Sequence, residues 1–215
     1  MLYALTIAYD GTDFHGWQRQ IRPASAPEEE PTELRTVQGT LEGALQEVLR
    51  LRTHVVGASR TDAGVHAWGQ VAVFTPPPTG MRMPEERLAE ALNAKLPDDV
   101  RVRSCARARE GFDPIGLCQA KGYRYTLALG REAPLWDRRV VHHVRDEQLD
   151  LQAMRRCAHE LIGRRDFAAM AKAGHGRLST VRTLFRVDVS EPAPGRVAID
   201  VVGDGFLHHM VRILA

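Results

Sequence analysis

The sequence predicts an α+β fold of two ferredoxin-like β-α-β-β-α-β halves, joined into one mixed, mainly antiparallel sheet with helices on one face. Three observations point there. Alternating apolar residues mark short strands, as at Tyr3, Leu5, Ile7 and Tyr9. Apolar residues at helical spacing mark segments between them, as at Leu88, Leu92 and Leu96. The element order found over residues 1–107 then begins again over residues 108–215.

In the N-terminal half, residues 2–9 form the first strand and Asp10-Gly11 ends it. Residues 22–35 carry Pro23, Pro27, Pro31 and the run Glu28-Glu29-Glu30, which reads as a solvated, mobile loop. Thr36 caps a helix in which Val37, Leu41, Ala44, Leu45 and Val48 share a face. Strands follow near 53–58 and 68–74, and Pro76 to Pro78 stop the second. Pro84 suits a first helical turn, and Glu85 and Glu86 suit its positive end. A strand near 100–107 sets Val100 and Val102 opposite Arg101 and Arg103.

In the C-terminal half, Tyr123, Tyr125, Leu127 and Leu129 alternate on a strand. A helix near 147–162 places Leu151, Met154, Ala158 and Leu161 on one stripe. Residues 181–189 put Val181, Thr183, Phe185, Val187 and Val189 on one strand face, and 196–202 do the same for Val197, Ile199 and Val201. A last helix starts near Phe206, with Phe206, His209, Met210 and Ile213 on one side. The stretch 138–144 is strand-like and belongs to neither repeat, so its expected place is a sheet edge. The closing strand of this half is missing.

Composition narrows the class. At roughly 150 residues per domain, 215 residues make one large domain or two small ones. With 44% hydrophobic and 26% charged residues the chain is near the globular average, which excludes chain-wide disorder. No apolar run reaches the ~18 residues of a membrane span, and Met1 to Tyr9 lacks the basic leader of a signal peptide. Cys105, Cys118 and Cys157 are too few and scattered for a disulfide framework or a zinc site, and a reducing cytoplasm is expected. Net charge is only +2, but 26 of the 29 basic residues are arginine. Arginine suits phosphates and stacked bases; a genome favouring arginine codons would leave the same mark.

Three clusters carry candidate chemistry. In Gly57-Ala-Ser-Arg-Thr-Asp-Ala-Gly-Val-His-Ala67, Arg60, Asp62 and His66 lie between two strands. Asp62 and Gly64 could simply shape a turn. Alternatively, Arg60 keeps the Asp62 carboxylate ionised and aimed, fit to act as nucleophile or base. In Lys121-Gly-Tyr-Arg-Tyr125, the tyrosines are either core residues or an aromatic platform for a base. In Asp204-Gly-Phe-Leu-His-His-Met-Val-Arg212, the adjacent histidines would point about 100° apart on a helix, so they make a poor metal pair. His142-His143 shares that defect on a strand. Asp10 to Gln18 lacks the Gly-Lys-Ser/Thr ending of a phosphate loop, so nucleotide hydrolysis is not supported.

Together these clusters resemble the TruA-type tRNA pseudouridine synthases. The resemblance runs through Tyr9-Asp-Gly-Thr-Asp-Phe-His-Gly-Trp-Gln18, Arg35-Thr-Val-Gln-Gly-Thr-Leu-Glu42, Ser59-Arg-Thr-Asp-Ala-Gly-Val-His-Ala67, Asn93-Ala-Lys-Leu-Pro97, Tyr123-Arg-Tyr125 and Gly205-Phe-Leu-His-His-Met-Val-Arg212. It implies the pseudouridine synthase fold and isomerisation of uridine to pseudouridine at positions 38, 39 and/or 40 of the tRNA anticodon arm. It also implies a homodimer in the cytoplasm, with no cofactor and no metal. Onto this chain it carries Asp62 as the catalytic aspartate, Tyr123 as the tyrosine that stacks on the target base, and Arg60 as the arginine of base flipping. Arg212 matches an arginine that pairs with the carboxylate, and His66 and Gln18 fall among the substrate contacts.

The chemistry suits those residue types. Uracil must leave C1′, rotate and rejoin through C5, and Asp62 could attack C1′, attack C6 or remove a ribose proton. The chain departs from the family pattern at Ile115, where an arginine is usual, at Asp166-Phe-Ala-Ala-Met170, and in the long 22–35 loop. The family also continues past the helix that carries Arg212, so a further C-terminal tail of roughly 30 residues, a helix end plus a strand, is expected. The rival reading is a non-catalytic RNA-binding module of the ferredoxin-like type, which differs at Asp62.

Overall fold

The computed structural model describes residues 1–24, 28, 30–78, 83–146, 148–172, 174 and 178–215. They form two compact units, Met1–Cys118 and Gln119–Ala215. The first holds β1 (Leu2–Tyr9), β2 (Ile21–Arg22), β3 (Thr32–Glu33), α1 (Val37–Leu49), β4 (Val55–Gly57), β5 (Ala67–Phe74), α2 (Glu85–Asn93) and β6 (Val100–Ala108). The second holds β7 (Lys121–Leu129), β8 (His142–Val144), α3 (Leu151–Glu160), β9 (Gly163–Asp166), a 3-10 turn at Ala168–Met170, β10 (Val181–Ala193), β11 (Arg196–Gly203) and α4 (Met210–Leu214). Among the described residues no helix is long and apolar enough to cross a membrane.

In the first unit the sheet order is β4-β5-β1-β6, with antiparallel neighbours. The alternation in β1 decides which face is covered. Tyr3, Leu5, Ile7 and Tyr9 are buried against Val37, Leu41 and Leu45 of α1 and Leu88 and Leu92 of α2. Thr36 caps α1 as expected, its hydroxyl accepting the Gly39 N–H at 3.3 Å. Glu85 opens α2 and also accepts hydrogen bonds from Tyr3 Oη at 3.0 Å and Arg107 Nη2 at 2.7 Å, which ties the helix to β1 and β6. β2 and β3 pair with each other, so the 22–35 loop is closed at its base. Residues 25–27 and 29 of that loop lie outside the described residues.

In the second unit the order is β8-β7-β11-β10-β9, antiparallel except for the parallel β7–β8 pair. Asp150 caps α3, its Oδ1 accepting the Ala153 N–H at 2.8 Å. Ala158 of α3, Met210 of α4 and Leu207 pack with Leu184, Val187, Val197, Ile199 and Val201 in one core. The odd strand expected within 138–144 is β8, and it does sit at an edge, beside β7. Arg196 Nε and Nη2 donate to Asp137 at 2.9 and 3.3 Å, pinning the approach to β8. The hydrogen bond from Arg196 holds the Asp137 carboxyl below the usual carboxylate range.

Within each unit the described strands pair with one another, and the side of β7 away from β11 is taken by β8. Two expectations are corrected. Phe185 does not share the buried face of β10. A bulge between Leu184 and Arg186 shifts the alternation, so Leu184 is fully buried and Phe185 is 51% exposed. The last helix starts at Met210 rather than near Phe206, because His209 adopts a left-handed backbone (φ 61°) and breaks it.

Candidate active site

Asp62 lies in the connection between β4 and β5, and the structure holds that connection on both sides. At its entry, Ala58 N–H donates to Val71 O at 2.8 Å and Gln70 Nε2 donates to Ser59 O at 2.7 Å. Thr61 is fixed twice: its carbonyl accepts the Trp17 N–H at 3.0 Å, and its hydroxyl lies 2.8 Å from Tyr9 Oη. Asp62 follows, with its carbonyl accepting the Val65 N–H at 3.2 Å in a tight turn that needs Gly64 at φ +76°. Asp62 is half-buried and Arg60 is exposed. A carboxylate is thus presented on a turn whose backbone is anchored before and after it.

The clamp on this turn is the segment from Tyr9 to Gln18. Gly16 has φ +89°, and a Cβ there would come within 2.7 Å of the Thr61 carbonyl oxygen. Gly11 packs against the Val65 carbonyl so closely that no side chain fits. Trp17 is buried beneath Gly57, where a Cβ would meet the indole at 2.5 Å. The glycines of the 9–18 motif therefore allow backbone to approach backbone; they do not cradle a phosphate. Phe14 is covered by the Arg35 guanidinium at 4.0 Å, which also binds Asp99 through two hydrogen bonds of 2.8 and 2.9 Å.

His66 and Gln18 take up positions in this clamp. His66 Nδ1 is 3.2 Å from the Gly11 nitrogen and 3.1 Å from Asp10 Oδ1. One nitrogen serves one of these at a time: it accepts from Gly11, or in the other tautomer donates to Asp10. Gln18 is exposed, and its Nε2 donates to Gln38 Oε1 at 2.9 Å.

Gln38 was not among the sequence candidates. It is buried at 2% exposure, accepts from the Arg19 N–H at 2.9 Å, and donates to Val55 O at 3.0 Å and Glu42 Oε1 at 3.1 Å. Glu42 in turn accepts the Val55 N–H at 3.0 Å. One turn of α1 thereby fixes the start of β4, and so the approach to Asp62. The available signal was a glutamine set among Val37, Leu41 and Leu45 on an otherwise apolar face.

In the second unit, Tyr123 lies on β7, half-buried, opposite Val201 of β11. Its ring meets Phe206 edge to face, with centroids 5.0 Å apart and planes at 85°. Arg124 points to the other face and forms a two-bond pair with Asp200, both bonds at 2.8 Å. Arg212 is exposed in the last turn of α4. His208 and His209 precede that helix instead of sitting on it, and their rings are 4.3 Å apart. The two side chains therefore do not diverge by the ~100° of neighbouring helix positions.

A family model described as tRNA pseudouridine synthase matches residues 5–113 and 157–215. The chain is 41% identical over 211 residues to a protein of Geobacter sulfurreducens named tRNA pseudouridine synthase A, covering 98% of this chain and 80% of that one. It is 37% identical over 214 residues to a protein of the same name from Lactobacillus acidophilus, covering 99% and 76%. A third of that name, from Clostridium botulinum, is 38% identical over 212 residues, covering 98% and 80%.

Proposed function

Because the chain belongs to the tRNA pseudouridine synthase family, a family of isomerases acting on tRNA uridine, we propose that it makes pseudouridine at positions 38, 39 and/or 40 of the anticodon arm with Asp62 as its catalytic carboxylate. The observation that supports this most directly is the anchoring of Thr61. Its carbonyl and hydroxyl are both held by the 9–18 segment, at 3.0 Å by Trp17 and 2.8 Å by Tyr9. The next side chain is half-buried, neither locked in the core nor free in water.

The reaction breaks the bond between C1′ and N1, rotates the uracil, joins C5 to C1′, releases the C5 proton and leaves N1 to take up a proton. No electrons pass to or from the substrate, and the working enzyme is proposed to use no metal or cofactor. The target base must leave its stack, at a cost of a few kcal/mol. Arg60, exposed and two residues before Asp62, is assigned to that flipped state. Tyr123 is assigned to stacking on the uracil, with Phe206 packed against its ring. Arg212 is assigned to the carboxylate, and His66 and Gln18 to the shape of the substrate site. We read residues 1–107 and 108–215 as ferredoxin-like halves; the first unit's strand order, with its β1 inner and its β4 and β6 at the edges, supports that for the first. The enzyme is taken to work as a cytoplasmic homodimer.

The test uses tRNA carrying tritium at C5 of uridine. Wild type should release tritium, and Asp62→Asn should lower the single-turnover rate by roughly 10³-fold or more with tRNA binding retained. Release that survives the substitution removes Asp62 from its role. Binding without release by wild type returns the chain to the RNA-binding module.

A further inference from the structure

Of the chain's three tryptophans, Trp17 is buried at 2% exposure while Trp68 stands 87% exposed on β5, two residues past His66. The backbone puts it there. From Ile7↔Gln70 to Tyr9↔Ala67, two steps along β1 answer three along β5, so the Trp68-Gly69 segment holds an extra residue. On the other side of β1, Thr6↔Ser104 and Ile7↔Val102 leave Arg103 as the extra residue of β6. Two bulges thus flank β1 at Ile7. A bulge re-aims side chains and leaves backbone groups outside the ladder. Here the groups meet: Arg103 Nη1 reaches across β1 and donates to the Trp68 carbonyl at 2.8 Å.

We propose that Trp68 and Arg103 form an RNA-contact pair, the indole stacking on an unpaired base and the guanidinium binding a neighbouring phosphate. This rests on the reading of the chain as an RNA-modifying enzyme, and it adds a contact outside the residues assigned above. Gly69 follows the indole without a side chain, and Arg101 and Arg103 stand exposed on β6 beyond β1. An exposed aromatic face tied to a guanidinium group matches a base and its backbone. Arginine has five N–H donors, and the bond to Trp68 uses one of them. The pair is also rigidly tied to the Asp62 turn, because Ala67 pairs with Tyr9, whose hydroxyl lies against Thr61.

The experiment measures tRNA affinity by filter binding for wild type, Trp68→Ala, Trp68→Phe and Arg103→Ala. Trp68→Ala should weaken binding about ten-fold or more and Trp68→Phe should keep most of it. Arg103→Ala should weaken binding and lower the salt slope by about one. A second readout uses the Trp136→Phe variant, in which Trp68 is the exposed indole: its emission should be quenched by an anticodon-arm RNA. Wild-type affinity in Trp68→Ala, or no quenching on saturation with RNA, overturns the proposal. Tritium release by wild type alongside wild-type affinity in Trp68→Ala sinks the contact and leaves the enzyme reading standing. Wild type that binds through Trp68 without releasing tritium does the reverse.

Discussion

Gly16 shows how much of the site depends on one atom. Its φ of +89° already disfavours any side chain, and an added Cβ would press on the Thr61 carbonyl at 2.7 Å. Gly16→Ala should therefore cost about 1–3 kcal/mol in urea unfolding and slow turnover by displacing the Asp62 turn. Gly43→Ala is the control. That glycine is exposed inside α1 with nothing within 4 Å, so alanine should stabilise by about 0.5–1 kcal/mol. Equal effects of the two would mean that the close approach at Thr61 does not matter. The turn that carries Arg60, Asp62 and His66 between two strands was legible in the sequence, because its turn residues Asp62 and Gly64 lie within a few positions of each other. The Gln38 hub was not, because its partner Val55 is 17 residues away in the chain.

At the scale of an element, β10 carries the sharpest test of local pattern against tertiary structure. Strict alternation would bury Phe185 and expose Leu184; the bulge reverses both. Leu184→Ala should lower stability by about 2–5 kcal/mol, while Phe185→Ala should stay within about 0.5 kcal/mol, both read from denaturant midpoints. The opposite ranking would place the register one residue away. Most elements were readable because their periods run unbroken, as in β1 and α1. The exceptions have local causes that hydrophobicity does not encode: an extra residue in β10, and a left-handed His209 ahead of α4. β9 was missed because Gly163-Arg-Arg-Asp166 is a strand without an apolar face, paired to β10.

For the whole molecule, the mixed α+β class was visible and the strand pairing was not. Pairing is set by long-range register, so nothing local told that β8 would run parallel to β7. Charge has the same character. A net charge of +2 gives little overall attraction to a polyanion, so affinity for tRNA must come from local arginine groups. Binding should accordingly fall linearly on a log–log plot against salt. About six phosphate contacts would cost roughly 10³-fold between ~50 and ~200 mM, and a flat plot would rule out phosphate contacts as the main source of affinity.

The rims of the four-stranded and five-stranded sheets bear on how the chain survives crowding while it folds. An exposed ladder of N–H and C=O groups is a template for filament growth. Here three of the four rims are cut short: β4 and β8 offer three residues each and β9 offers four, two of them exposed arginines. The fourth rim, β6, is nine residues long, but Arg101, Arg103 and Arg107 stud it. A copy docking through its own β6 would set arginines against arginines, and the mutual repulsion works against that pairing. The cations that suit a nucleic-acid partner thus also act as gatekeepers against self-polymerisation.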